Sequence, residues 1–519
     1  MLNNLFLSID AGTIDWSRAQ FALTAIYHWL FVPLTLGLAV IMGIVETQYY
    51  RTKDVFWRDA AMFWQKLFGI NFAMGVATGI ILEFEFGTNW SNYSWFVGDI
   101  FGAPLAVEGI VAFFMESTFV AVMYFGWKKV SPGFHLASTW LTGLGATISA
   151  WWILVANAWM QYPVGCEFNP DTMRNEMVSF AEVALSPFAI SKFCHTVTSA
   201  WIIGAIFCVG VCCWYLMKKR NTKLAVESMK IGAAVGLVAS LLAGATGHKS
   251  GMDVAAVQPM KLAAMEALYN GGTDQGLTAV AWVNPFVQPD YQNEAEPALK
   301  IDMPYGLSIM ATNDPHGYVP GINDILNGYT TPDGKVEPSI DEKIERGKKA
   351  IEALAAYRQA KAEGADEATL TSHLSLLTSN MPYFGYGYIK DKNDIVPFIP
   401  INFWAFRIMV GVGCLFILFF AVVLFMAYKK DITALPSWHY WLAILLIPLG
   451  YIGSECGWLV AEFGRQPWTI QDMLPTWAAV SDLQSSSVII TFFLFLFLFT
   501  TMLAVEINIL LKQIKNYNS

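Results

Sequence analysis

The stretch "VIITFFLFLFLFTTMLAVEINILL" (488–511) holds one charged residue, Glu506, in twenty-four positions. Such a run is too apolar to face water, and it is long enough to cross a bilayer, which takes ~20 residues. "FILFFAVVLFMAYKK" (416–430) reads the same way. Only 14% of the 519 residues are charged, against about 25% in soluble proteins, and the mean hydropathy is +0.44. The predicted fold class is therefore an all-α polytopic membrane protein.

Nine spans are expected, at roughly 19–46, 67–86, 102–126, 134–160, 188–217, 230–247, 402–427, 438–462 and 486–511. Lysine and arginine accumulate on the cytoplasmic side of membrane proteins. Fifteen follow the odd-numbered spans, from Arg51 through Lys218, Lys429 and Lys430 to Lys515. The short segments on the other side hold three, Arg18, Arg174 and Arg465. This bias predicts an outer N-terminus and a cytoplasmic C-terminus. The N-terminal "MLNNLFLSIDAGTIDWSRAQ" lacks the basic opening of a signal peptide. A net charge of −9 argues against nucleic acid as a partner. There is no CxxCH for covalent haem attachment, and no disulfide framework can be read.

Three regions are expected. Residues 1–247 carry helices 1 to 6, residues 248–400 form a polar insert on the outer face, and residues 401–519 carry helices 7 to 9. The insert has turn signals, "NGG" and "PDG", and one amphipathic segment, "SIDEKIERGKKAIEALAAYRQAKAEGA". Ser339 and Glu342 there have capping-box spacing, and Ile340, Ile344, Ile351 and Leu354 share a face.

A charge at the centre of a membrane helix costs at least ~2.5–3.5 kcal/mol, so buried ionisable groups mark candidate sites. Of seven histidines, only His28 and His195 lie well inside predicted spans. Each could hydrogen-bond a neighbouring helix or ligate a haem iron. Met409 in "FWAFRIMVGVG" reads as packing by itself, whereas Arg407 beside it needs a carboxylate, a carbonyl or an anionic ligand. Glu108 and Glu116 are eight residues apart, about 80° on a regular helix. They could be paired with arginines or could relay protons, with Ser149 and Asn157 extending the relay. In "VAEFGRQPW" (460–468), Trp458 of the preceding turn, Glu462 and Arg465 share a helix face. A salt bridge beside an interfacial tryptophan and a cofactor site both fit that pattern.

Eight segments taken together resemble the large subunit of cytochrome bd quinol oxidases. They are "SRAQFALTAIYHWLFVPLTLG", "KLFGINFAMGVATGIILEFEFGTNW", "GDIFGAPLAVEGIVAFFMEST", "SAWWILVANAWMQYP", "KFCHTV", "KLAAMEA", "FWAFRIMV" and "GWLVAEFGRQPW". The resemblance implies a terminal oxidase of the bacterial cytoplasmic (inner) membrane that reduces dioxygen to water with electrons from membrane quinol. It implies three haems: a low-spin haem b (b558), a high-spin haem b (b595) and haem d. His195 and Met409 match the axial pair of the low-spin haem, while His28 and Glu462 match the ligands of the two high-spin haems. Lys261 and Glu266 match the quinol-site pair of the outer insert, called the Q-loop, and the insert's length resembles the long Q-loop branch. Glu108, Glu116 and Ser149 match proton-delivery positions, and Arg407, Trp458 and Arg465 match positions around the haems. Quinol protons would leave outside and protons for water would arrive from the cytoplasm, which makes the enzyme electrogenic without pumping. The implied partners are a second large membrane subunit (subunit II), a small single-span subunit and the lipid bilayer.

Two intramembrane histidines are too few for the paired haem ligands of a bc-type cytochrome b or for a haem–copper oxidase. A proton-coupled transporter using Glu108, Glu116 and Glu462 is the alternative from another class, and it predicts inverted repeats; none is apparent.

Overall fold

A computed structural model describes residues 10–429 and 431–517 of the chain; Lys430, counted above among the basic residues, lies outside them. Nine helices among the described residues are long and apolar enough to cross a membrane. Six precede the insert: α1 (Ala11–Thr52), α2 (Val55–Thr88), α3 (Asp99–Phe125), α4 (Pro132–Gln161), α5 (Pro187–Met217) and α6 (Thr222–Val257). Within the insert are α7 (Pro259–Glu266) and α8 (Ile340–Ala362). The last three spans are α9 (Ile399–Lys429), α10 (Ser437–Phe463) and α11 (Ser485–Asn516). In hydrocarbon each backbone amide must be satisfied within its own segment, which is why every spanning element is a helix.

Helix α5 is the hub and packs against α1, α4, α6 and α10. It meets α1 closely, because a Cβ built on Gly37 would lie 2.6 Å from the Gly204 Cα. Small residues permit such approach where lipid gives no hydrophobic drive between helices. Trp64, Phe68, Leu38, Ile206 and Phe420 fill one core between these helices. Helices α3 and α11 lie at the edge with exposed apolar faces, including Ile110, Phe114, Ile490 and Phe497.

Several predicted boundaries move: α2 begins at Val55, twelve residues before the expected start of its span, and α6 at Thr222, eight before. Helix α6 continues to Val257, ten residues beyond the expected end of the span, so the insert starts on a helix rising from the membrane. Helix α3 is not uniformly α-helical: Glu108–Phe113 forms a π-helix.

Among the described residues four two-stranded hairpins lie outside the spans: β1 (Cys166–Asn169) with β2 (Arg174–Met177), β3 (Leu277–Trp282) with β4 (Ala298–Met303), β5 (Tyr329–Thr330) with β6 (Val336–Glu337), and β7 (Trp468–Ile470) with β8 (Leu474–Pro475). The "PDG" signal is the β5–β6 turn, where Gly334 takes φ +88°. The amphipathic segment is α8; Ser339 accepts a hydrogen bond from the Glu342 amide at 3.2 Å, and Ile340, Ile344 and Leu354 are buried.

Candidate functional site

A cavity of about 930 Å³ opens among α1, α2, α3, α4 and α10. Its wall carries five glutamates: Glu83, Glu108, Glu116, Glu455 and Glu462. His28, Trp458 and Arg465 also line it. The Nδ1 of His28 lies 2.9 Å from the Thr78 hydroxyl. That hydroxyl lies 3.0 Å from the Met74 carbonyl, to which it can donate; with its proton so committed it would accept the Nδ1 proton, and the lone pair would fall on Nε2, a form in which imidazole binds a metal. Gly79 leaves space beside the ring, since a Cβ there would stand 3.1 Å from His28 Cε1.

The same arrangement recurs at His195 on α5. Its Nδ1 lies 3.3 Å from the Thr246 hydroxyl, which donates to the Leu242 carbonyl at 2.8 Å. A Cβ on Gly247 would come within 3.1 Å of His195 Cε1, and one on Gly457 within 3.1 Å of Met409 Sδ. His195 and Met409 thus belong to one four-helix group, in which α5 and α9 each pack against both α6 and α10.

Glu108 and Glu116 reach the one cavity, although not by regular α-helical spacing. The wide π turn between them changes the register, as π segments at functional sites commonly do. The Ser149 hydroxyl donates to Glu108 Oε1 at 2.6 Å, and Glu108 Oε2 is buried without a hydrogen-bond partner. A Cβ on Gly145 would meet Glu116 Cγ at 2.6 Å, so α4 leaves room there for the carboxyl.

Along α4, Asn157 donates to Glu462 Oε1 at 3.1 Å and Gln161 donates to Asn157 Oδ1 at 3.0 Å. Arg465 grips Glu462 Oε2 through Nε at 2.7 Å and Nη2 at 2.6 Å. The salt bridge considered for "VAEFGRQPW" therefore exists, and it lies in the cavity wall. Trp458 stands edge-on to Trp29, 5.2 Å between centroids, with Lys192 Nζ 5.6 Å from its ring. Lys261 donates to Gln161 and Gln258, both at 2.7 Å. Burial, and next the charge of Lys192, holds the Lys261 amine well below the ordinary lysine range, against the pull of Glu462. Three cations, the buried Lys261 and Arg465 and the half-buried Lys192, thus cluster around one carboxylate.

Glu266 turns elsewhere. It lies five residues from Lys261 on α7 and accepts from Arg407 Nη2 at 2.7 Å. Arg407 also donates to the carbonyls of Thr278, at 3.0 Å, and Met265. Arg407 thus meets both a carboxylate and carbonyls. Burial pushes the Glu266 carboxyl above the usual range although Arg407 opposes it. Lys261 and Glu266 share a helix while addressing different neighbours.

The profile described as "Cytochrome bd terminal oxidase subunit I" matches residues 16–518. The chain belongs to the cytochrome bd terminal oxidase subunit I family. It is 40% identical over 506 residues to the cytochrome bd-II ubiquinol oxidase subunit 1 of Escherichia coli, covering 96% of each chain. It is 34% identical over 500 residues to the cytochrome bd ubiquinol oxidase subunit 1 of Bacillus subtilis, covering 96% of this chain and 93% of that one. The solved bd oxidase structure from Geobacillus thermodenitrificans shares the fold at TM-score 0.77 and 22% identity, over 97% of this chain and 98% of that one. This cytochrome bd subunit is thus part of a multi-subunit quinol:oxygen oxidoreductase, a haem-containing terminal oxidase of the bacterial cytoplasmic (inner) membrane. The transporter alternative falls with that assignment.

The residues fit haem groups. Among the described residues no three His, Cys, Asp or Glu side chains cluster as a bare-ion site would need. Haem iron brings four nitrogens of its own and asks the protein for only one or two ligands. The lone pairs left on Nε2, the glycine gaps and the surplus cations beside the cavity suit a flat ring with carboxylate tails.

Sequence reading missed several cytochrome bd residues in this site. Glu455 lies seven residues before Glu462, two turns along the same face, and its Oε1 is buried without a hydrogen-bond partner; that spacing was a usable signal. Lys192 stands in the quoted "KFCHTV". Thr78, Thr246 and the glycines carry no chemistry of their own and become visible only through their contacts.

Proposed function

We propose that residues 1–247 and 401–519 hold the three haems and the proton path, and that residues 248–400 form the quinol-binding Q-loop. In this reading His195 and Met409 would hold low-spin haem b558. His28 and Glu462 are the protein ligands of high-spin haem b595 and haem d. Bound haem supplies the electron-carrying irons and, at haem d, the open position for dioxygen.

The protein's residues do the rest. Thr78 and Thr246 fix each histidine as the Nδ1–H tautomer. Glu108, Ser149 and Glu116 take protons from the cytoplasmic side and hold them at the cavity, with Glu108 Oε2 free to exchange. Trp458 and Arg465 wall the Glu462 side, and Arg465 sets the charge there. At the outer face Glu266, oriented by Arg407, takes a quinol proton as the electron departs, and Lys261 hydrogen-bonds a quinone oxygen. Two quinols and one dioxygen give two quinones and two waters; protons are released outside and consumed from inside, so charge crosses the membrane without a pump. Subunit II and a small single-span subunit complete the assembly around the exposed faces of α3 and α11.

The carrying observation is that two histidines, each with Nδ1 against a threonine hydroxyl, sit in different company: His28 lines the five-glutamate cavity and His195 does not. Reduced-minus-oxidised spectra of the complete enzyme, with and without carbon monoxide, test it. A far-red chlorin band that shifts with carbon monoxide, beside haem b bands, is expected. A folded preparation without the chlorin band would overturn the assignment.

A further inference from the structure

The β3–β4 hairpin is amphipathic the wrong way round for a loop in water. Alternate residues of a strand face opposite sides, and on β4 Ile301 and Met303 are exposed; Leu299, at a bulge with φ +53°, is 81% exposed as well. Between them Lys300 and Asp302 turn inward and pair at 2.9 Å, with Glu296 also 3.5 Å from Lys300. On β3, Val280 and Trp282 are exposed, and Val280 is in register with Ile301. The loop that follows adds Phe286, 87% exposed, and Val287. A contiguous apolar face of this kind marks a contact surface.

The hairpin's anchors give its depth. Trp404 donates to the Val283 carbonyl at 2.9 Å and Arg407 to the Thr278 carbonyl at 3.0 Å. Both donors stand within the first three turns of the membrane helix α9. Phe398, just before that helix, and Ile408 and Val410 on it are also exposed and extend the apolar surface along the helix. The hairpin also touches the quinol-site carboxylate directly, through the Thr278 amide to Glu266 at 3.4 Å.

We propose that the outward face of the β3–β4 hairpin is seated in the outer leaflet, against lipid acyl chains, and forms the wall along which a long-tailed quinol reaches Glu266. The route rests on the reading of Glu266 as the quinol site; the seating in lipid does not. The inward salt bridges keep the polar edge on the protein, and Trp282 sits at the boundary where indole rings prefer to lie.

The test uses the complete enzyme in phosphatidylcholine nanodiscs. An environment-sensitive fluorophore is placed at Leu299→Cys or Ile301→Cys, in a Cys414→Ala background whose residual labelling is measured alongside. The control is Glu352→Cys on the solvent face of α8. Doxyl-labelled lipid should quench at 299 and 301 while aqueous iodide does not, with the reverse at 352. Iodide quenching at 301 equal to that at 352 would overturn the proposal. Protection from both quenchers would overturn it too, because protein and not lipid would then cover the face. Ile301→Glu should raise KM several-fold for a long-tailed quinol, leaving kcat and the KM of a tailless quinol unchanged; equal KM values would overturn the route. Normal quinol oxidation by Glu266→Gln would instead refute the quinol site and leave the quenching result standing.

Discussion

His28 and His195 are held by one device and surrounded by opposite chemistry. Each sets its Nδ1 against a threonine hydroxyl that can donate to a carbonyl one turn back along its helix, and each has a glycine beside the ring. Around His28, however, the walls carry five glutamates, whereas Met409 and two glycines mark the His195 pocket. A group that only passes electrons is best served by saturated ligation and a dry surround, while one that makes water must also be fed protons. The difference between the two pockets lies in what surrounds the ligand.

The sharpest way to break the comparison is Met409→Leu. It should abolish the low-spin haem b signature and electron transfer from quinol while the far-red band remains, read by difference spectra; loss of every band together would contradict two separate pockets. Next is Glu108→Gln, which should slow steady-state oxygen reduction by about 10²-fold or more, the usual range for a lost proton-transfer group. Low-spin haem reduction by quinol should be unaffected in stopped flow. Thr78→Val and Thr246→Val come third. Each should weaken retention of its own haem by about 10–100-fold, measured as haem per protein after gel filtration, with the other pocket unchanged.

The smallest effect concerns Glu266. Only its ionised form accepts a quinol proton, and burial raises its pKa above the ordinary 4.5. Quinol kcat/KM should therefore fall as pH drops through a limb lying above 4.5, and Glu266→Gln should flatten that limb.

The nine spans were legible because hydrocarbon allows little latitude: long apolar runs must be helices, and the structure has all nine. The amphipathic helix α8 was equally plain, its isoleucines and Leu354 repeating on one face beneath a serine cap. The end of α6 was not legible. Residues 248–257 are polar enough to read as insert, yet they continue the helix, because polarity alone does not distinguish helix from loop. The π turn of α3 left no mark in "EGIVAF", since that choice follows from packing against α4. In the site, single charged residues stood out because lipid makes them costly. Their partners did not: Arg407 announced that it needed a carboxylate, but only the fold showed that carboxylate to be Glu266. Lys261 and Glu266 looked like a pair by proximity in the chain, yet five positions on a helix point them to different neighbours.

The π-helical segment of α3 makes chain length, as well as residue identity, a determinant of the cavity. The wide turn at Glu108–Phe113 absorbs a residue that an ordinary helix would place about 100° further round. Delete one residue there, and α3 can close into regular register with every apolar side chain still suited to lipid. Glu116, however, would swing off the Gly145 side toward the lipid. The carboxylate would be lost from the cavity without being mutated.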